Sequence, residues 1–220
     1  MFSIQKKKQK YNTLTIIGGD KDQQTIDGIN IISTGHNNRV IIHMDDCPSP
    51  FKNCNFLLAG NNCTIEIFPT KQPVHNLGIQ FSDYVHNAIV RIGKSFGCQS
   101  ANIIINDDGN NVYIGENCMF SWGIQIMTSD GHSIYDSSTH QLLNPSGDIV
   151  IGNHCWIGMG VSILKNVHLG DNIICGANAT VTKSVNENNV IVAGFPATIV
   201  KRNINWHGNP PTMFNQDNLD

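Results

Sequence analysis

The chain has 220 residues, a formal net charge of -3 and 14% charged residues. This length suits one domain, compact or elongated, better than two independent domains. The charge balance argues against a nucleic-acid partner, which would require a concentrated basic face. No run approaches the about 18 apolar residues of a membrane span, and the opening MFSIQKKKQK lacks the apolar core of a secretory signal. We therefore expect a cytoplasmic protein with no transmembrane segment and no nucleic-acid partner.

The N-terminal stretch carries a basic cluster formed by Lys6, Lys7, Lys8 and Lys10. We interpret it as a solvated terminus, and attraction to an anionic polymer or a membrane surface is the alternative. Isoleucine, valine, asparagine and glycine are abundant after it, and no helix-length stretch shows a capped 3.6-residue period. The sequence therefore predicts mostly β structure with turns.

A phrase recurs through the first half of the chain, as GHNNRVII from Gly35, GNNCTIEI from Gly60, VHNAIVRI from Val85 and GNNVYI from Gly109. Aligning its isoleucines gives spacings of 25, 25 and 22 residues, from Ile42 to Ile67, Ile92 and Ile114. A fixed period of this size predicts a solenoid, in which each unit buries its apolar face against its neighbours. The segments after Ile42 and Ile67 contain prolines that a central strand would not tolerate, so we expect bulges or loops there.

The period tightens to six residues in the second half. Steps of six give the apolar series Ile151, Ile157, Ile163, Leu169, Cys175 and Val181. Four residues after each comes a second apolar series, Cys155, Val161, Val167, Ile173, Ala179 and Val185. With 40% apolar residues, twelve such matches in one register arise by chance roughly once in sixty thousand trials. Glycines and asparagines between them suit corners. We predict a triangular prism of parallel strands with both series inside.

The hexads can be traced back to residue 112, and they break at a polar stretch. The predicted organisation of the single domain is irregular coils at 11–110, regular hexads at 112–130 and 149–186, a projecting loop at 131–148 and a C-terminal segment at 187–220.

The seven cysteines stand at positions 47, 54, 63, 98, 118, 155 and 175. Their odd number and the lack of CxxC spacing disfavour both a disulfide framework and a zinc site. We predict that all seven are structural, that none is a nucleophile and that the protein requires no metal.

The hexads IGNHCW, IGMGVS, ILKNVH, LGDNII, CGANAT and VTKSVN, followed by VIVAGFPATIV, resemble the hexapeptide-repeat acyltransferases. The GNN phrases, the SDGH loop entry, the IGNHCWIG run and the ending KRNINW are similar to bacterial capsular polysialic acid O-acetyltransferases. The resemblance implies an all-β, left-handed parallel β-helix, although parallel crossovers are otherwise right-handed. It also implies a homotrimer that binds acetyl-CoA between subunits and transfers the acetyl group to a carbohydrate hydroxyl.

The resemblance gives His132 the role of general base, because it follows Ser-Asp-Gly at the loop entry and precedes Trp156 by 24 residues. A sugar hydroxyl is a poor nucleophile, and imidazole is a suitable base near neutral pH. His140, in the same loop, is the alternative base. Asp130 is a candidate for orienting the imidazole, or an ordinary turn residue.

Trp156 precedes an inward isoleucine, so we predict that its ring lies on the prism surface beside the loop. There its N–H would hold the acceptor oxygen or the thioester while its face packs on pantetheine; a trimer-interface aromatic is the alternative. For cofactor binding the resemblance implies Gly158, Ala177, Thr182, Lys183 and Lys201. The two small residues would let backbone amides approach the pantetheine arm, and the lysines would face the phosphates.

Two further expectations concern the rest of the site. Related sugar acetyltransferases carry a basic residue three positions before Lys201, where this chain has Thr198. A backbone N–H is the expected oxyanion donor. Asn102, Asp107 and Asp108 are candidates for the acceptor side of the site.

Three alternatives to a polysaccharide O-acetyltransferase stay open. A γ-type carbonic anhydrase uses two histidines five residues apart, a spacing that does not occur here. A chloramphenicol, streptogramin or small-sugar acetyltransferase shares the loop histidine and the WIG run, but the irregular coils before residue 110 favour a long groove for a polymer. A non-catalytic scaffold is the third.

Overall fold

A computed structural model describes residues 12–18, 22–44 and 50–215, with the backbone alone for 12–26 and 44. The basic N-terminal cluster and Cys47 lie outside the described residues.

The chain winds repeatedly through three sheets, which form the three faces of a prism. The first face contains β1 (Asn12–Gly18), β4 (Asn38–Met44), β7 (Thr64–Ile67), β10 (Ile89–Ile92), β13 (Val112–Ile114), β16 (Ile149–Ile151) and β19 (His168–Leu169). The second contains β5 (Phe51–Lys52), β8 (Val74–His75), β11 (Gly97–Cys98), β14 (Met119–Phe120), β17 (Trp156–Ile157), β20 (Ile173–Cys175), β22 (Val190–Gly194) and β23 (Ala197–Arg202). The third contains β2 (Asp22–Ile26), β3 (Ile29–Ser33), β6 (Cys54–Leu58), β9 (Leu77–Phe81), β12 (Ala101–Ile105), β15 (Ile124–Met127), β18 (Ser162–Leu164) and β21 (Thr180–Val181).

The register of the first face confirms the repeat seen in the sequence. Ile42 pairs with Ile67, Ile67 with Ile92 and Ile92 with Ile114, all in parallel. Ile114 then pairs with Ile151, so the irregular and the regular coils form one continuous stack. Antiparallel strands close both ends, because β1 and β2 pair with β4 and β3, and β23 pairs with β22.

The core is the interior of the prism. Eleven of the twelve predicted hexad positions are buried and Val185 is partly buried. Phe96 and Phe120 pack edge to face in the middle of the stack, with ring centroids 5.0 Å apart. Each coil therefore buries its apolar residues against the coils above and below it, as in other solenoids.

Asparagines turn many of the corners. Left-handed φ angles near +57° occur at Asn37, Asn62, Asn87, Asn117, Asn166, Asn172 and Asn178. Asparagine tolerates this conformation better than other residues with a Cβ. His154 occupies the equivalent corner position with φ 53°. Gly35 meets a stricter requirement, because a Cβ there would lie 1.8 Å from the carbonyl oxygen of Gly60 in the next coil.

The expectation that the proline-containing segments after Ile42 and Ile67 form bulges or loops is met only in part, because residues 68–73 lie outside any strand while the later residues of both segments form strands; residues 45–49 lie outside the described residues. These segments contribute β5 and β6, and β8 and β9, which are regular strands of the second and third faces. Pro50 and Pro73 stand immediately before their strands, so no ladder N–H is lost. Their carbonyl oxygens accept hydrogen bonds from Val74 at 3.0 Å and from Cys98 at 2.9 Å.

In the part of the chain that the structure describes, no helix is long and apolar enough to cross a membrane. The helical structure in those residues is a single 3₁₀ turn at Pro211–Met213.

Candidate active site

The projecting loop occupies residues 128–148, between β15 on the third face and β16 on the first. Its far half is a small hairpin, in which the Leu143 N–H donates to the Ile134 carbonyl at 2.7 Å. The return stem is tied to the coil below, because the Asn111 N–H donates to Asp148 at 2.7 Å. The break in the hexad pattern therefore marks a loop with its own internal structure.

Asn144 fixes the backbone on both sides of His132. Its Nδ2 donates to the His132 carbonyl oxygen and to Asp130 Oδ2, both at 2.8 Å. Its Oδ1 accepts the Ile134 N–H at 2.6 Å. One amide side chain thus holds residues 130, 132 and 134 in a fixed relation. Sequence reasoning missed Asn144, although an Asn-Pro pair in a polar loop is a turn signal.

Lys165 anchors the same network to the next coil. Its ammonium pairs with Asp130 Oδ2 and donates to the Asn144 carbonyl oxygen at 3.0 Å. The hydrogen bonds from Lys165 and Asn144 lower the pKa of Asp130. The suggestion that Asp130 orients the His132 imidazole is not supported, because its carboxylate bonds to these two residues instead. Asp130 therefore ties the base of the loop to Asn144 and Lys165.

We expect Asp130→Asn to loosen the loop base. The substitution removes the carboxylate charge, and the pair is exposed enough that its contribution is below about 1 kcal/mol. Loop amides around residues 132–134 should therefore exchange several-fold faster at neutral pH, with little change in global unfolding. Because the folded pKa is lowered, the contribution is complete above the ordinary pKa of about 3.9 and disappears as the pH falls through the lowered value. The wild-type loop should loosen in acid below about pH 4.

Hydrogen exchange followed by mass spectrometry measures this effect. The matched control is Glu187→Gln, which removes the exposed ion pair between Glu187 and Arg202 outside the loop. Equal exchange in Asp130→Asn and Glu187→Gln at residues 132–134 would contradict the anchoring role.

His132 itself is exposed at the loop entry. Within residues 12–18, 22–44 and 50–215, its imidazole neither donates nor accepts a hydrogen bond, so both ring nitrogens are accessible to ligands. His140 lies instead at the tip of the hairpin with φ 57°, where its ring meets Tyr135 edge to face at 6.2 Å. The two loop histidines therefore occupy the base and the tip of the loop.

Trp156 begins β17 on the second face, with its side chain outside the prism and 37% exposed. The predicted surface position is confirmed. Met119 and Ile174 are its neighbours in the ladder, one coil on either side. The Trp206 ring lies beside it, with centroids 5.9 Å apart and planes tilted by 44°.

Trp206 belongs to the C-terminal segment and is clasped to His154. The rings stack with centroids 4.4 Å apart, and the Trp206 indole N–H donates to the His154 carbonyl at 2.8 Å. His154 Nε2 lies 3.1 Å from the Trp206 carbonyl oxygen. The clasp brings the segment back over the corner between the first and second faces. Trp206 ends the KRNINW motif that supports the resemblance, but the sequence predicts no role for it.

Gly158 and Ala177 lie on successive coils at the corner between the second and third faces. A Cβ at Gly158 would lie 2.5 Å from the Cys175 carbonyl oxygen and 3.0 Å from the Ala177 amide nitrogen. Gly158 is buried and Ala177 is exposed. The structure therefore brings these two predicted cofactor residues together, and it also gives Gly158 a packing reason to be glycine.

The remaining predicted cofactor residues are exposed polar side chains. Thr182 and Lys183 follow β21 at the corner between the third and first faces, and Lys201 lies on β23. Among the described residues neither lysine has a carboxylate partner, so both ammonium groups are available to an anionic ligand.

The predicted site residues emerge at three different corners of one prism. The His132 loop leaves the prism at the corner between the third and first faces, whereas Trp156 starts the second face after the next corner. Trp156 therefore emerges at a different corner from the base of its own loop. The reason is topological, because the 24 residues from His132 to Trp156 include the remainder of the loop and one complete crossing of the first face.

The residues suggested for the acceptor side have local structural roles. Asp108 lies below the loop and accepts the His86 N–H at 2.5 Å, and its own N–H donates to Asp107 at 2.9 Å. Asn102 lies on β12 of the third face, paired with Gly78 and Gln125. Of the three, Asp107 and Asp108 share the corner of the loop.

Among the described residues, cysteines and potential metal ligands form no separate site. The six described cysteines are free and buried. Burial raises the pKa of Cys98 to about 12 and also raises that of Cys175, which opposes a nucleophilic thiolate. Within the described ranges, no three His, Cys, Asp or Glu side chains group as potential metal ligands.

Residues 148–183 match the family model described as bacterial transferase hexapeptide (six repeats). The crystal structure of the polysialic acid O-acetyltransferase OatWY is 30% identical, with a TM-score of 0.71, and covers 84% of each chain. The chain belongs to the hexapeptide-repeat acyltransferases. Its prism is accordingly the left-handed parallel β-helix of that family, as the sequence resemblance implied.

Two further relatives are also polysialic acid acetyltransferases. The structure of the polysialic acid-specific acetyltransferase NeuO is 28% identical, with a TM-score of 0.65, and covers 86% of this chain and 93% of that one. A polysialic acid O-acetyltransferase of Neisseria meningitidis is 35% identical over 131 residues, which are 60% of this chain and 57% of that enzyme. The matched stretch thus spans little more than half of the meningococcal enzyme.

Proposed function

We propose that the protein is an O-acetyltransferase that moves the acetyl group of acetyl-CoA to a hydroxyl of a cell-surface polysaccharide. The observation that carries the proposal is the exposed imidazole of His132, held at the base of a braced loop on a hexapeptide-repeat prism. A rigid backbone with a freely accessible ring is what a general base for a large acceptor requires.

The proposed reaction needs one base and no covalent enzyme intermediate. The neutral His132 imidazole removes the proton of the acceptor hydroxyl as its oxygen attacks the thioester carbonyl. The resulting oxyanion collapses, the carbon–sulfur bond breaks and CoA leaves as a thiolate. The imidazolium then returns the proton to sulfur, which regenerates the neutral base. The Trp156 N–H and a backbone N–H are the proposed donors to the developing negative charge.

We propose that a homotrimer completes this site. Trp156 and His132 lie at different corners of one prism, so a neighbouring subunit has to bring the second residue. Exposed apolar side chains support this arrangement, because Ile134, Tyr135 and Leu142 are exposed on the loop while Trp122 and Met159 are exposed at the corner between the second and third faces. Two different apolar surfaces are what a closed head-to-tail ring needs.

Acetyl-CoA would lie along the later coils in this arrangement. The Gly158 N–H already donates to the Cys175 carbonyl oxygen at 2.9 Å, so the Ala177 N–H, which bonds to no described backbone carbonyl, is the amide proposed for the pantetheine arm. Thr182, Lys183 and Lys201 offer polar or cationic groups without carboxylate partners among the described residues. Thr198 is exposed on β23, in the position where related sugar acetyltransferases carry a basic residue. Recognition of the CoA phosphates would therefore depend on Lys183 and Lys201.

The proposed acceptor is a capsular polysaccharide or O-antigen, with polysialic acid as the first candidate. Two structural relatives with high coverage carry this substrate in their names. We expect acetyl-CoA-dependent thiol release in the presence of oligosialic acid, measured against other capsular oligosaccharides, free sugars and chloramphenicol. Light scattering on the same preparation tests the trimer.

The outcomes separate the alternatives. Turnover with chloramphenicol or free sugars alone would refute the polysaccharide acceptor and support a small-molecule acetyltransferase. A lack of turnover with every acceptor, together with a lack of acetyl-CoA binding, would support a scaffold. Activity that depends on stoichiometric zinc would support the metal-enzyme alternative.

A further inference from the structure

A groove of about 420 Å³ lies on the second face, directly below Trp156. Its floor is formed by Gly97 and Met119, and Met119 is the ladder neighbour of Trp156. The C-terminal segment forms one wall through Trp206 and His207. This volume is at the lower end of the about 300–1,000 Å³ of small-molecule sites.

A second wall, which meets the first where His154 stacks on Trp206, is the corner between the first and second faces. Ser95, Asn117 and His154 are the left-handed corner residues of three successive coils, and all three line the groove. Gln72 lines it from the coil below. In the described part of the chain, the side chains of Gln72, Ser95 and Asn117 form no hydrogen bond, so a row of unpaired amide and hydroxyl groups faces one cavity.

His154 and His207 add one hydrogen-bond acceptor and one donor to these polar groups. His154 Nε2 must donate to reach the Trp206 carbonyl oxygen, so in the neutral ring its Nδ1 is an acceptor. His207 Nδ1 accepts the Asn209 N–H at 3.2 Å, so its proton is on Nε2, which is a donor. Neither of these remaining nitrogens bonds to a described residue.

The groove carries little net charge. No Asp or Glu lines it, and the exposed residues next to Ser95 and Asn117 are Lys94 and Glu116, whose charges oppose each other. A ligand here would be held mainly through its hydroxyl groups, and no lining carboxylate would repel the carboxylate of a sialic acid residue. Mixed donors and acceptors beside aromatic rings suit a sugar ring, which presents hydroxyls at its edge and C–H groups on its faces.

We infer that this groove is a subsite for one sugar residue of the acceptor, next to the residue that becomes acetylated. The inference rests on the proposed function. The residues proposed for acetyl-CoA lie on the coil of Trp156 or on later coils, whereas the floor and corner of the groove lie mainly on earlier coils. Donor and acceptor therefore approach Trp156 from opposite ends of the prism, separated by coil steps of about 4.8 Å.

The test uses His207→Ala and Asn117→Gly, each alone. Glycine retains the left-handed φ of Asn117 while removing its amide. Each variant should raise the acceptor KM about fivefold to tenfold, the loss of one hydrogen bond, while the KM for acetyl-CoA stays unchanged. The matched controls are His168→Ala, on the exposed surface of the first face, and Asn87→Gly, at a different corner with φ 58°. The probe is the oligosaccharide with the highest turnover in the acceptor panel.

The result that overturns the inference is an acceptor KM in both variants equal to that of their controls. A change in oligomeric state on His207→Ala would also overturn it, because the groove would then be a subunit contact. Saturation-transfer NMR with oligosialic acid keeps the inference separate from the proposed function. Sugar binding that His207→Ala weakens would support the subsite even if the wild type transfers no acetyl group. Absence of both sugar binding and transfer would refute it.

Discussion

His132→Asn should lower kcat for acetyl transfer by about a thousandfold, within the range of about 10²–10⁴ for the loss of a general base. Asparagine keeps polarity at the loop entry, and the contacts of Asn144 to this segment involve the backbone of residues 132 and 134. The loop should therefore keep its structure while it loses the base. Binding of acetyl-CoA, measured by calorimetry, should be unchanged.

The matched control is His140→Asn, because asparagine suits the left-handed φ of 57° at that position. We expect kcat to stay within about threefold of wild type, since this ring contacts Tyr135 at the loop tip. A large loss in His140→Asn together with normal activity in His132→Asn would make His140 the base. Normal activity in both variants would refute a histidine base in this loop.

Phe120→Ala should destabilise the prism by about 3–5 kcal/mol. Phe120 is fully buried on the second face and packs edge to face on Phe96. Its removal leaves a cavity between stacked coils, which cannot close because the parallel ladders on both sides fix their spacing. Guanidinium unfolding followed by circular dichroism measures the change, and the region around β14 should open first in hydrogen exchange.

Two further substitutions test the origin of that loss. Phe68→Ala removes a half-buried ring that stacks on His43 at 4.7 Å outside the core, and it should cost less than half as much. Phe120→Leu retains most of the buried volume and should recover most of the stability. A loss below about 1 kcal/mol for Phe120→Ala would show that neighbouring side chains refill the cavity.

The fold was predictable because its determinant is a short local period. Ile151, Ile157 and Ile163 are six residues apart, and each has to be buried, so few chain paths satisfy all of them at once. The longer period was also readable, because the aligned isoleucines Ile42, Ile67 and Ile92 are true ladder partners. The strands that follow the prolines are not predictable in this way, since proline before a strand gives the same local signal as proline within a loop.

The candidate site was only partly predictable. The break in the hexads located the loop, and the resemblance selected His132 and Trp156. The bracing of the loop by Asn144 and Lys165 and the clasp between His154 and Trp206 connect residues between 10 and 52 positions apart. No local pattern encodes such pairs, because they depend on how the loop and the C-terminal segment return to the prism.

The sequence by itself thus determined the solenoid, its inward residues and the position of the projecting loop, because burial repeats along the chain and each coil contacts only its neighbours. The tertiary structure decided the corner at which each functional side chain emerges. It separated His132 from Trp156 within one chain, placed Trp206 beside Trp156, and opened a groove along three successive corners. These relations follow from the winding of complete coils, in which residues far apart in sequence share a corner and near ones do not.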